Sequence, residues 1–270
     1  ARPLPPAAAL MRRVLAALAL AASATAAQGG AWTLKQGHWQ LFSTVTQSQA
    51  SVSFDAQGRG IVPTKFDKLL VQNTFEYGLT GAITLFATAG YADGTIRTPF
   101  VPLTKARDTS FEGGARLALY AKGGRLSLQT SYKAAGAFDL STSAGGAAGR
   151  QVELRLLYGT GFKLFGRDGF ADVQVAQRWI EAPRPNETPL DLTVGLWLNR
   201  KIMVMAQSFN TISAGDAAAR YTYYRTHKFE LSVVQKLSRH WSLQTGAFYS
   251  PAGQNALVEK GVIVSLWTQD

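Results

Sequence analysis

The sequence contains no cysteine. That excludes a disulfide framework, a thiolate nucleophile and a Cys-ligated metal together. Charge is also scarce: Asp, Glu, Lys and Arg make up 17% of the 270 residues, against about 25% in ordinary soluble domains. Histidine is limited to His38, His227 and His240, scattered along the chain, so a Ser–His nucleophilic site is not expected. Carboxylates such as Glu112 and Glu153 could serve glycoside hydrolysis, but nothing isolates a pair. No H-E-x-x-H, no glycine-rich phosphate loop and no G-x-S-x-G occurs. The expectation is therefore a non-enzyme with no cofactor and no metal. After residue 27 there is also no apolar run long enough to cross a bilayer as a helix.

What is abundant is finely mixed apolarity. Hydrophobic residues make up 46% and aromatics 11%, yet the mean hydropathy is −0.02. The first 27 residues read as targeting sequence. Met11-Arg12-Arg13 precedes the apolar run Val14 to Ala22, then the small residues Ser23-Ala24-Thr25-Ala26-Ala27. That is the order of a secretory signal peptide, with cleavage expected after Ala26 or Ala27. Residues 1–10 read as an upstream extension, 11–27 as the signal peptide, and 28–270 as a single domain. The net charge is +11; loss of Arg2, Arg12 and Arg13 lowers 28 basic residues to 25 against 17 acidic, or +8. For an exported chain, lipopolysaccharide phosphates or anionic glycans are the expected partners, and nucleic acid is not.

The recurrent pattern is alternation. In Gln151–Leu164, Val152, Leu154, Leu156, Tyr158, Phe162 and Leu164 share one parity; Glu153, Arg155 and Lys163 share the other. Successive strand residues point to opposite faces. Phe229, Leu231 and Val233 repeat the pattern, as do Leu126, Leu128, Thr130 and Tyr132. Twelve strands are expected, near 38–53, 66–78, 82–92, 108–121, 125–135, 150–164, 169–181, 189–198, 201–211, 221–237, 240–250 and 255–267. Most reach the 9–11 residues or so that a tilted strand needs to cross a membrane. Five connections are tight: Leu79-Thr80-Gly81, Lys122-Gly123-Gly124, Phe165 to Asp168, Asn199-Arg200 and Ser238-Arg239. The others are longer: 54–65, 93–107, 136–149, 182–188 and 212–220, with a shorter one at 251–254. Short turns on one side and long loops on the other predict a transmembrane antiparallel up-and-down β-barrel, with the first strand paired to the last and both termini periplasmic. Aromatics gather near the turn ends (Tyr77, Tyr120, Phe162, Phe165, Phe170, Trp197, Trp241, Trp267). Others lie near the loop ends (Phe54, Phe66, Tyr91, Phe111, Trp179, Phe209, Tyr221, Tyr223, Tyr224, Tyr249). Two girdles are expected at the two interfaces.

Ala31-Trp32-Thr33 to Gly37, Phe54-Asp55-Ala56-Gln57-Gly58 and Tyr77-Gly78-Leu79-Thr80 together resemble the XagA-like family of bacterial outer-membrane proteins. Glu153 to Gly159 and Asp191 to Gly195 look similar as well. Proline near Lys35 and a small residue near Trp39 would fit that pattern better. The resemblance implies a role beside exopolysaccharide or biofilm-matrix export, in the outer membrane of a Gram-negative-type bacterium. It implies no catalytic residue.

Charges of the inward parity are the functional candidates: Glu76, Glu112, Arg116, Lys133, Glu153, Arg155, Lys163, Asp172, Arg178, Lys228, Glu230 and Lys236. A charge facing lipid at midplane costs roughly 2–4 kcal/mol, so these are expected in the lumen. Two readings follow. The charges either pair across strands and stiffen a narrow barrel, or Arg116, Arg155, Arg178 and Lys228 form a track for acidic sugars, since guanidinium grips carboxylates bidentately. The function classes left open are an export pore or accessory, a porin for small or acidic oligosaccharide solutes, and a membrane-bound enzyme on lipid or glycan. An open lumen with this basic excess would be anion-selective.

Overall fold

The computed structural model describes residues 30–99, 103–134, 150–181, 185–215 and 223–270. The expected leader lies outside them, as do parts of the expected loops. Twelve strands form one closed antiparallel barrel: β1 (Trp39–Phe54), β2 (Gly60–Gly78), β3 (Ile83–Arg97), β4 (Thr104–Tyr120), β5 (Arg125–Ala134), β6 (Gln151–Leu164), β7 (Arg167–Ile180), β8 (Glu187–Trp197), β9 (Ile202–Ser213), β10 (Arg225–Lys236), β11 (Trp241–Gln254) and β12 (Lys260–Gln269). Each strand pairs with its sequence neighbours, and β1 closes on β12 from Gln40↔Gln269 to Gln49↔Lys260. No edge is left to pair with water, which a sheet in hydrocarbon requires.

Alternation fixes the two faces. Val152, Leu154, Leu156 and Tyr158 are exposed on the outside of β6, whereas Glu153, Arg155 and Leu157 are buried inside. Leu231 and Val233 point outward and Glu230 and Ser232 inward on β10. The exterior band continues through Phe75, Leu85, Leu117, Val175, Leu192 and Val264. Apolar outside and charged inside inverts a soluble protein and is the arrangement of a sheet solvated by lipid. The exposed side of the β6–β7 hairpin shows why its turn is tight. Phe165 and Gly166 take φ of 50° and 74°, the two positive values that a two-residue type I′ turn requires.

The strand count is as expected, but several boundaries move. β2 begins at Gly60 rather than near 66, and β3 and β4 extend to Arg97 and from Thr104. The expected loops 54–65 and 93–107 therefore shrink to short connections. In β2 a register shift lies between Ala50↔Phe66 and Val52↔Pro63, so Pro63, which has no N–H to donate, sits beside a bulge. That proline hid the continuation. The aromatic girdles are also corrected. Phe170, Trp267, Phe66, Phe54 and Tyr224 are buried on the inner side, while Tyr77, Tyr120, Tyr91, Phe111 and Trp179 stay on the outer face. Position along the strand was read correctly for these rings, but parity decides the face.

An arginine at Leu156, midway along β6 on the outer face, is expected to destabilise the barrel by about 2–4 kcal/mol in reversible urea unfolding from phospholipid vesicles. A neutral result would place that face in water.

Candidate functional site: a charged lumen lined by a strap

The inward charges form pairs along the hydrogen-bonded register. Glu153 of β6 lies opposite Arg178 of β7, which lies opposite Glu187 of β8. Arg178 donates from Nε and Nη2 to Glu153 Oε2 at 3.0 and 2.8 Å, and from Nη1 to Glu187 Oε2 at 2.6 Å. Tyr224 OH donates to the other Glu187 oxygen. Arg155 donates from Nε to Glu153 Oε1 at 2.7 Å and from Nη1 to Asp191 Oδ2 at 2.5 Å and Gln174 Oε1 at 2.8 Å. Gln174 in turn donates to Asp172 Oδ1 at 2.6 Å. One continuous network thus spans β6, β7 and β8 and ends on Asp172.

A second pair stands nearer the short-turn end. Arg116 of β4 donates from Nη2 to Glu76 Oε1 of β2 at 3.0 Å and from Nε to Gln129 Oε1 at 3.0 Å. Gln40 Nε2 donates to Glu76 Oε2 at 2.6 Å. Both members of this pair are only 2% exposed. A third group lies toward the long-loop end. There Glu259 takes Lys228 Nζ at 2.6 Å and Lys68 Nζ at 3.7 Å.

Of the sequence candidates, Glu76, Arg116, Glu153, Arg155, Asp172, Arg178 and Lys228 enter these groups. Glu230 is buried and accepts from Gln244 Nε2 at 3.2 Å. Lys236 sits over the Trp197 ring, 4.3 Å from its centroid. Glu112 and Lys133 face each other across β4 and β5 without an ion pair between them. Lys163 is not in the lumen: it is exposed where the β6–β7 hairpin turns, paired to Asp168 at 2.7 Å. Parity stops predicting the face there because the strand has passed the wall's end. Sequence reading missed Lys68, Glu187, Asp191 and Glu259. Lys68 and Asp191 share the parity of the inward residues on their strands and could have been found. Glu187 fell in the expected loop 182–188; Glu259 fell inside the expected strand 255–267, which the structure begins only at Lys260.

The turn end of the lumen holds a structure that alternation does not announce. Residues 30–38, just before β1, form a strap along the inner wall. Ala31 N donates to Asp172 Oδ2 at 2.9 Å, and Ser127 Oγ donates to Ala31 O. Arg116 Nη1 donates to Trp32 O at 3.1 Å, Leu34 N to Thr84 Oγ1 at 2.7 Å, and Gly37 N to Gly78 O at 2.9 Å. The strap therefore climbs from the rim at β1 past β2, β3, β4 and β5 to β7. Trp32 meets Phe170 edge-on at 5.9 Å. Gly159 makes room for it, since a Cβ there would lie 2.6 Å from the indole.

Trp32 also packs against a buried apolar cluster of Phe42, Phe170, Met203, Met205, Val234 and Trp267. These come from β1, β7, β9, β10 and β12. β1 and β7 stand six places apart around the twelve-strand ring, and the cluster runs between them along the inner wall through β9, β10 and β12.

No protein-family model and no curated protein matches the sequence. Solved structures do. The chain is similar to an outer membrane channel from Pseudomonas putida F1, with a TM-score of 0.69 and 13% identity, covering 90% of this chain and 99% of that one. It is also similar to the β domain of the Bordetella autotransporter BrkA, at a TM-score of 0.55 and 14% identity over 87% and 100% of the two chains. The translocator domain of the autotransporter NalP from Neisseria meningitidis follows at 0.53 and 12%, over 97% and 95%. At these identities the likeness shows the fold alone: a closed antiparallel β-barrel, as in those outer-membrane proteins.

Arg155→Gln leaves Glu153 and Asp191 without their shared cation. Removing one partner of a buried pair typically costs about 3–5 kcal/mol, and a loss of that size is expected in urea unfolding. A basic track kept for ligand alone would tolerate the change with little loss of stability.

Proposed function

We propose that the protein is a non-enzymatic outer-membrane channel for small solutes, held closed at rest by residues 30–38. The observation that carries this reading is the strap. It lies along the inner wall at the turn end of the lumen, yet it is no part of the sheet. A handful of hydrogen bonds and one indole hold it, and only its β1 end is covalently continuous with the barrel. Similarity to an outer membrane channel supports the reading from a separate direction.

The pairing of Arg116, Arg155, Arg178 and Lys228 with carboxylates supports the structural role of those charges over an acidic-sugar track. A second reading draws on the same pairing. A lumen filled by ion pairs suits an accessory protein of exopolysaccharide or biofilm-matrix export, the role that the W-T, F-D and Y-G-L-T motifs imply. The two readings part on whether release of the strap opens a path.

The reading is tested by single-channel conductance in planar bilayers. Gly159→Val, which pushes Trp32 off its seat, is expected to raise open probability severalfold. Silence of G159V and of a variant lacking residues 30–37, both folded, would reject the channel and leave the accessory reading.

A further inference from the structure

The outer face at the long-loop end of β2, β3 and β4 carries charges that neither the lumen network nor the strap uses. Lys65 and Arg97 lie directly opposite each other in the β2–β3 register. Lys105 pairs with Thr95, two residues from Arg97. All three are exposed, and Thr64, Phe66, Ile96 and Thr98 beside them are buried, so Lys65 and Arg97 point away from the lumen. Among the described residues none of the three makes an ion pair. Two residues nearer the middle, Arg107 is satisfied by Asp93 at 2.8 Å. The neighbouring Asp67 accepts both its contacts from Gln47 Nε2.

Like charges directly opposite on adjacent strands destabilise a sheet unless something lies between them. Here the space for it exists. An open groove of about 710 Å³ runs past Ser51, Pro63, Lys65, Arg97 and Pro99. Below the cations, on the same outward face, Tyr91 and Phe111 are exposed. The row reads aromatic, then a single satisfied ion pair, then free cations, moving away from the apolar band. A ligand that matches it is apolar at one end and bears anionic groups on sugars at the other.

We propose that this face is a binding site for lipopolysaccharide. Its acyl chains lie against Tyr91 and Phe111, and the phosphates and carboxylates of its lipid A and inner core are held by Lys65, Arg97 and Lys105. A soluble acidic glycan presents the same anions but has no use for the aromatic surface beneath them. The site requires the barrel to sit in an outer membrane, and it is independent of whether the strap moves.

The test is binding of Kdo2–lipid A to the full barrel in detergent, read by native mass spectrometry, with folding checked by heat-modifiable migration. Wild type is expected to retain the lipid, R97Q to bind about threefold more weakly, and K65Q/R97Q/K105Q at least tenfold more weakly. R200Q/R239Q, which removes two exposed charges from the tight turns at the opposite end, is expected to bind as wild type. Equal binding by the triple variant, or an equal loss in R200Q/R239Q, would overturn the site. Displacement of the lipid by polygalacturonate at comparable concentration would overturn its assignment to a lipid.

Discussion

Backbone pairing without water is the constraint on which the rest of the molecule depends. In hydrocarbon each unpaired N–H or C=O costs several kcal/mol, so a sheet there has no tolerable edge. The β1–β12 seam removes the edge. Closure then assigns every residue a solvent. One parity meets lipid and the other a narrow interior, and a one-residue slip would exchange them along a whole strand. The long uninterrupted registers, fourteen consecutive pairs between β6 and β7 from Gln151↔Ile180 to Leu164↔Arg167, follow from that penalty.

The interior charges inherit their geometry from the same registers. Glu153, Arg178 and Glu187 are cross-strand neighbours before they are ion pairs. The register fixes where their Cβ atoms stand, so only the side-chain rotamers have still to be ordered when they meet. Arginine suits the position because its planar fork can serve two carboxylates at once, as Arg155 and Arg178 both do. Gln174 and Asp172 extend this network to the backbone of Ala31. The strap and the mid-lumen charges are thus parts of one hydrogen-bonded body rather than two separate fillings.

The barrel was legible in the sequence because alternation is a wall's direct imprint. Val152–Tyr158 and Phe229–Val233 announce both strand and face. Most lumen charges followed, since only one face can hold them. The apolar cluster did not. Ile202 to Ala206 is apolar at every position, so parity carries no contrast where Met203 and Met205 turn inward. Phe170 stands between Gly169 and Ala171, which are too small to mark a face. The strap left no periodic trace either: its contacts are made largely by backbone groups to side chains such as Ser127, Thr84 and Asp172, distant in sequence. Its Trp32 was visible only as part of a motif, with nothing local to say that Gly159 would receive it.

A strap tied to the wall it lies against behaves as a tethered ligand. Eight Cα–Cα steps lead from Ala31 to Trp39, a reach of at most about 29 Å, so a detached strap stays within a small volume at the mouth. Such confinement corresponds to an effective concentration on the order of millimolar. Contact formation over loops of about ten residues takes roughly 10–100 ns. Rebinding is therefore unimolecular, indifferent to how much protein the membrane contains, and fast beside the microsecond-to-millisecond motions of larger lids. The dwell time of the vacant state is set by chain length between tether and seat, a quantity that lengthening the segment before β1 would change without touching a single contact.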